Sequence, residues 1–305
     1  MQNRRSAVAL LITAMFVILI SIAIGYSLKQ INEASKYVEH ENNMYQNFIF
    51  VEDVLNMLKN SKELQELANN EAPEELYTFL TTSGFLTFEH SGVRLVLHIS
   101  SARDKFDINT MSQEQEAYLY EYLSAYNVRG EFVDILKDAS SGIKEDNYYN
   151  TVLFDKDPDL FRDYIASSKH LEKLIGFYEN IYKEESIEDA NLSNLFYFGA
   201  NNQNSSADQN ISIDLNYATA QVWQLMLGVD QDTAQALGSG ENFYTSIDDM
   251  SLSEEQKKRL EKFSTSFFEP FLNIKIDIIK DNLISHVSFE YDIKNKKGYN
   301  FVYEI

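Results

Sequence analysis

The sequence predicts an α+β protein: an N-terminal transmembrane helix, extended as a helical spine, packs on an antiparallel sheet that carries a large helical insertion. Three observations predict it. An uncharged apolar run fills residues 7–26. Helical periodicity without Pro or Gly continues from Ser27 to Asn60. Period-two alternation appears at Val93–Ser100 and again at Leu272–Ile278, far apart in the chain.

Composition supports a packed, exported domain. Of 305 residues, 44% are apolar and 13% aromatic, enough for a sizeable core, and only 3 Pro and 11 Gly argue against long disordered stretches. A formal charge of −21 opposes attraction to nucleic acid or anionic lipid and tolerates divalent cations. Cysteine is absent, which excludes disulfides, a thiol nucleophile and a Cys-ligated metal.

Residues 1–6 read as a cytoplasmic leader and 7–26 as the membrane helix. Twenty residues from Ala7 to Tyr26 rise by roughly 30 Å, the thickness of a bilayer's hydrocarbon core. Arg4 and Arg5 directly precede the run and keep the N-terminus cytoplasmic, so the rest is exported. Three fates are open to such a segment: a cleaved secretory signal, with Ser21-Ile22-Ala23 as the small-x-small site, a permanent anchor, or a leader cut on the cytoplasmic side.

Residues 27–60 read as the spine, with Leu28, Ile31, Ala34 and Val38, then Met44, Phe48, Val51, Leu55 and Leu58, at helical spacing. Phase bends near Glu39–Asn43 argue against a strict heptad coiled coil. Within residues 61–111, Phe85–Glu89 and Val93–Ser100 flank a His90-Ser91-Gly92 hairpin turn. The phrase Lys105-Phe106-Asp107-Ile108-Asn109-Thr110 then precedes a helix at Gln113–Ala125. A related phrase, Ile213-Asp214-Leu215-Asn216-Tyr217-Ala218-Thr219, precedes a second helical pattern. Asn, Thr and Ser at such junctions accept from the first-turn N–H groups of a helix.

The helical insertion spans 112–210, with helices also at Glu131–Asp138, Pro158–Ile165 and Ser168–Glu184 and an exposed polar loop at Asn201–Asn210. Residues 211–270 hold a helix–hairpin–helix, Val222–Gly228 followed by a helix starting near Asp230. Its turn has one Gly and carries Asp230 and Asp232, which meet a phosphate with like charge, so the hairpin reads as structural. Residues 271–305 form C-terminal antiparallel strands. His40, His90, His98, His170 and His286 lack zinc spacing, and neither a nucleophile elbow nor a phosphate-cradling loop is present. No catalytic residues are expected.

Taken in order, these features resemble the K-type minor pseudopilin of type II (general) secretion systems along nearly the whole chain. The matching residues are Val8-Ala9-Leu10-Leu11-Ile12, Lys105–Thr110, Ile213–Thr219 with its helix–hairpin–helix, Phe243–Met250 and the strand pair after Pro270. The resemblance implies a pilin-like spine and sheet, and leader removal by a prepilin peptidase at Ser6–Ala7 or Ala7–Val8, although the usual glycine is missing. Mature position five, glutamate in most pilins, is then Leu11 or Ile12. A carboxylate without a partner is costly in hydrocarbon, so its absence suits a subunit with no neighbour above it. Leu11, Ile12 and Phe16 take the role of membrane and filament packing.

The implied partners are other minor pseudopilins at the filament tip, the major pseudopilin, the prepilin peptidase and the inner-membrane assembly platform, with no nucleic acid. The implied location is the bacterial inner membrane, single-pass, with the C-terminal domain periplasmic. Family members hold calcium in the helical insertion, which here implies Asp138, Glu145 and Asp146 as oxygen donors. Alternatives are a helix–hairpin–helix receptor for DNA uptake, a type IV pilus minor pilin, and a sensor ectodomain.

Overall fold

The structure, a computed structural model, describes residues 13–27, 29, 41–90, 92–144, 148–199, 211–240, 242–280 and 283–304. The chain forms two compact units, one made of Met1–Ala102 with Phe268–Ile305 and the other of Arg103–Phe267.

The first unit opens with α1 (13–27), α2 (Glu41–Asn60), α3 (Lys62–Asn69) and α4 (Pro73–Ser83), followed by β1 (Phe85–His90) and β2 (Val93–Ser101). The second unit contains β3 (Phe106–Asp107), α5 (Gln113–Ala125), α6 (Glu131–Ser140), α7 (Leu153–Lys156), α8 (Ser168–Tyr182), α9 (Leu192–Leu195) and β4 (Phe196–Tyr197). It continues with β5 (Ile213–Asp214), α10 (Ala220–Leu227), α11 (Gln231–Gly238), α12 (Glu254–Leu260) and β6 (Thr265–Ser266). The chain then returns to the first unit through β7 (Phe271–Lys280), β8 (Leu283–Asp292) and β9 (Lys297–Glu304). The second unit spans the residues expected as the helical insertion (112–210) and all but the last three of those expected as the helix–hairpin–helix region (211–270), and it begins at Arg103, inside the stretch expected to belong with the first strands (61–111).

In the first unit, five strands pair antiparallel in the order β1-β2-β7-β8-β9. The alternation seen in the sequence decides their faces. Val93, Leu95, Leu97 and Ile99 of β2 are buried, as are Leu272, Ile274, Ile276 and Ile278 of β7 and Val287, Phe289 and Tyr291 of β8. Helices α2 and α4 lie against the sheet. The buried stripe of α2 runs through Phe50, Val51, Val54 and Leu58. Phe48, placed on that stripe by sequence spacing, is instead exposed, because Phe50 and Val54 take the inward phase. Met44 in that pattern lies outside the residues whose side chains are described, and Leu28, Ile31, Ala34 and Val38 lie outside the described residues altogether.

Helices α1 and α2 lie side by side. Ser27 donates its hydroxyl to the Asp53 carboxylate, Phe16 packs edge-to-face on Phe79 with centroids 5.1 Å apart, and the hydroxyls of Thr13 and Thr82 sit 3.4 Å apart. One straight helix would separate Ser27 from Asp53 by about 39 Å. Segments 13–27 and 41–60 are therefore not parts of one straight helix, which the uninterrupted periodicity predicts. The apolar edge Phe16, Ile20 and Ile24 finds cover on the same unit. Among the described residues no helix is long and apolar enough to cross a membrane.

The core of the second unit gathers Phe132, Tyr178, Phe196 and Trp223, all fully buried. Pro158–Ile165, expected as a helix, is irregular. The Ile165 N–H, which a helix would direct to the carbonyl of Phe161, goes instead to Asn109, and Asp163 takes a φ of 128°.

Candidate functional site

The repeated phrase builds the same small device twice in the second unit. Strand β3 pairs in parallel with β4, and β5 with β6, each pair only two residues long. Directly after β3, the Asn109 N–H donates to the Asp107 carboxylate at 2.9 Å; after β5, the Asn216 N–H donates to Asp214 at 3.1 Å. Each Asp thus holds an Asx turn.

The turn aims the following Asn side chain inward. Asn109 accepts from the Ile165 N–H at 2.7 Å and donates to the carbonyls of Ile165 and Gly199 at 3.1 and 3.2 Å. Asn216 accepts from the Tyr244 N–H at 2.8 Å and donates to the carbonyls of Tyr244 and Phe267 at 3.0 and 3.1 Å. Capping of the helices that follow falls to residues just after the first phrase and at the end of the second. Ser112 closes a capping box with Gln115, and the Thr219 hydroxyl accepts from the Val222 N–H at 3.3 Å.

The helix–hairpin–helix consists of α10, a turn at Gly228 with φ +64°, and α11. Asp230 caps α11, and the hydrogen bonds from the Thr233 N–H and hydroxyl hold its carboxyl below the usual range. Arg259 stands beside the Gly228 turn, where it is ion-paired with Glu121 at 2.7 Å, donates to the Leu225 carbonyl at 3.0 Å and lies over the Tyr118 ring. Sequence reading did not find this Arg, because its partners come from α5 and α10.

Of the expected processing and packing residues, Ser6, Ala7, Val8, Leu11 and Ile12 lie outside the described residues, and Phe16 is buried against Phe79. On the opposite side of α1, Met15, Ile18, Leu19, Ile22 and Tyr26 are exposed.

Of the expected calcium donors, Glu145 and Asp146 lie outside the described residues, and Asp138 is fully buried near the end of α6. One Asp138 carboxylate oxygen accepts from the Asn150 N–H and side-chain amide at 2.9 and 3.1 Å. The other accepts from the Thr151 N–H and hydroxyl at 2.7 and 2.8 Å. Four hydrogens thus point at the lone pairs a cation would need, so this carboxylate does not fit as a calcium ligand; it fixes residues 150–151 to α6. Among the described residues no three His, Asp or Glu side chains converge as a metal site.

A cleft of about 420 Å³ in the second unit is lined by Asp107, Thr110, Gln115, Glu261, Lys262 and Phe263, among others. Its polar groups are largely committed. Gln115 donates to the Lys262 carbonyl, and Lys262 pairs with Glu114 at 3.0 Å, which raises the ammonium above its ordinary value. Compared with known proteins, the chain matches no family model and no curated sequence.

Proposed function

We propose that the protein is a membrane-anchored, non-catalytic subunit of a protein-secretion filament: a minor pseudopilin that caps the pseudopilus of a type II secretion system and helps initiate it. The single observation that carries this reading is the nesting of the chain. Neighbouring strands β2 and β7 belong to one sheet unit, yet Arg103–Phe267 between them folds as a separate helical unit, and the whole follows an N-terminal helix. A sheet covered by helices and interrupted by a second unit is the architecture that the resemblance implies for a K-type tip subunit.

The N-terminal helix supports anchorage. With Phe16, Ile20 and Ile24 on one side and Met15, Ile18, Leu19 and Ile22 on the other, α1 is apolar all round, and such a helix belongs in a protein core or in lipid. In the filament reading α1 leaves its seat beside α2 and α4, enters the bilayer with residues 7–12, and the segment behind it serves as the spine. The implied partners are the other minor pseudopilins, the major pseudopilin, the prepilin peptidase and the assembly platform of a bacterial inner membrane.

The test is the mature N-terminus of the membrane-extracted protein, by intact mass and terminal peptide mapping. A start at Ala7 or Val8 is expected. An intact Met1 points to a permanent anchor, and a start near Ile24 to a secreted protein; either one removes the pseudopilin reading. A type IV pilus tip would give the same start and separates by which assembly platform retains the protein.

The hairpin at Gly228 favours one second reading, a membrane-bound receptor for DNA. It is the weaker of the two, because the cation beside the turn is paired with Glu121 and the chain is strongly acidic. Retention of duplex DNA at low salt, lost on Arg259→Ala, is the result that would favour it.

A further inference from the structure

Strand β9 is one edge of the five-stranded sheet, the position from which a sheet can pair with another chain. Tyr299, Phe301, Val302 and Tyr303 are each 40–49% exposed, and Lys294, Lys296 and Lys297 all precede them. We propose that β9 pairs antiparallel with β9 of a second copy of this chain, joining two sheets edge to edge.

The register follows from a bulge. Against β8, Lys297 lies opposite Asp292, Gly298 opposite Tyr291 and Tyr299 opposite Glu290. Beyond an irregularity, Val302 lies opposite Ser288, Tyr303 opposite Val287 and Glu304 opposite His286. The irregularity falls at residues 300–301, where Asn300 has a φ of +53°. Val287 and Tyr291 are buried on the core face, so Gly298 and Tyr303 occupy core-face positions, whereas 297, 299, 302 and 304 belong to the other face.

Read from either end, the strand has the same order of faces: outer, core, outer, bulge, outer, core, outer. An unbulged strand could not pair with itself about the 300/301 midpoint, because residues of opposite faces would meet. Here the extra residue corrects the parity. Pairing about that midpoint sets Tyr299 opposite Val302, Gly298 opposite Tyr303 and Lys297 opposite Glu304 of the partner copy, and the reverse.

Chemistry agrees with geometry in this register. The exposed side chains of Tyr299 and Val302 meet on one face, once on each side of the midpoint. An aromatic residue directly across from a β-branched one stabilises a strand pair. The contact is self-complementary about a twofold axis, as a closed dimer requires. A few side chains and one strand edge make a small interface, so weak association, on the order of micromolar, is expected in solution. The inference uses only the first unit and does not rest on the filament reading.

The test uses the full chain in detergent, where the absence of cysteine makes introduced thiols unambiguous. Chains carrying Tyr299→Cys are mixed with chains carrying Val302→Cys and oxidised. The mixture is expected to give a disulfide-linked dimer in far higher yield than either chain alone, because like positions lie too far apart to bridge. In sedimentation runs, Val302→Asp, which sets a charge against Tyr299 of the second copy, is expected to weaken the dimer about fivefold or more. A monomer across the concentration series overturns the proposal. So does a dimer that neither cross-links in the mixture nor responds to Val302→Asp, since association then runs through another surface such as α1.

Discussion

Asn109 and Asn216 make the same three side-chain hydrogen bonds at two places in one unit. Each takes the N–H and C=O of one distant residue, Ile165 or Tyr244, and a second carbonyl, at Gly199 or Phe267. Each is preceded at i−2 by an Asp that accepts its backbone N–H. The phrase that looked like a pair of helix caps is a pair of latches that tie loops to short parallel strands.

Either latch is expected to be costly to remove. Asn109→Ala or Asn216→Ala leaves a buried N–H and two carbonyls without partners, so each should destabilise the helical unit by about 2–4 kcal/mol. Trp223, the sole tryptophan, is fully buried in the same unit, so its fluorescence reports unfolding directly in urea titrations. A variant within about 0.5 kcal/mol of the parent would contradict the latch role.

Asp138 leads to a second prediction. Its four accepted hydrogen bonds predict that Asp138→Ala costs about 3 kcal/mol or more, since two backbone N–H groups and two side chains lose a charged acceptor together. If the carboxylate served calcium instead, the cost would grow with added calcium and vanish in chelator. The expected result is an equal loss in both conditions, measured as paired melting curves.

The elements that were legible in the sequence are those whose signal is local. Alternation in β2 and β7 set both the strands and their faces, and Ser112 and Thr219 announced the helices that follow them. What stayed hidden depends on partners distant in the chain. The stretch 158–165 has helical composition, yet Asn109 captures Ile165 and the Ala139 carbonyl captures the Asp163 N–H, so tertiary hydrogen bonds override propensity. The Asn residues of the repeated phrase were visible as polar residues at a junction. Their inward aim was not, because it depends on loops near 165, 199, 244 and 267.

Gly228 supplies a third prediction. Its φ of +64° disfavours any side chain, and a Cβ there would stand 2.6 Å from Arg259 Nη1 and 3.1 Å from Glu121 Oε1. Gly228→Ala should cost about 1–3 kcal/mol, combining backbone strain with displacement of the Arg259–Glu121 pair. In an Arg259→Ala background the steric part disappears, so the additional cost of Gly228→Ala should fall toward the backbone part alone, read as a double-mutant cycle. A cycle with zero coupling would show that the turn and the ion pair are independent.

The last prediction concerns acid. His170, at the start of α8, is buried. Its Nδ1 receives the Ala166 N–H at 3.4 Å, its Nε2 is buried without a partner, and the Phe161 ring stands 5.9 Å away. Burial, helped by the positive charge of Lys173, pushes the imidazole below its ordinary value. An unfolded chain takes up this proton near about pH 6.5, whereas the folded protein does so only at lower pH. Between those two values the unfolded state binds more protons, so stability falls as pH drops through that window and levels off below the folded value. His170→Gln removes the titration. The difference in unfolding free energy between parent and variant should therefore shift in the variant's favour as pH is lowered from about 7.5 to about 5. A difference that stays constant across that range would mean that His170 is protonated equally in both states, and that its burial costs nothing in acid.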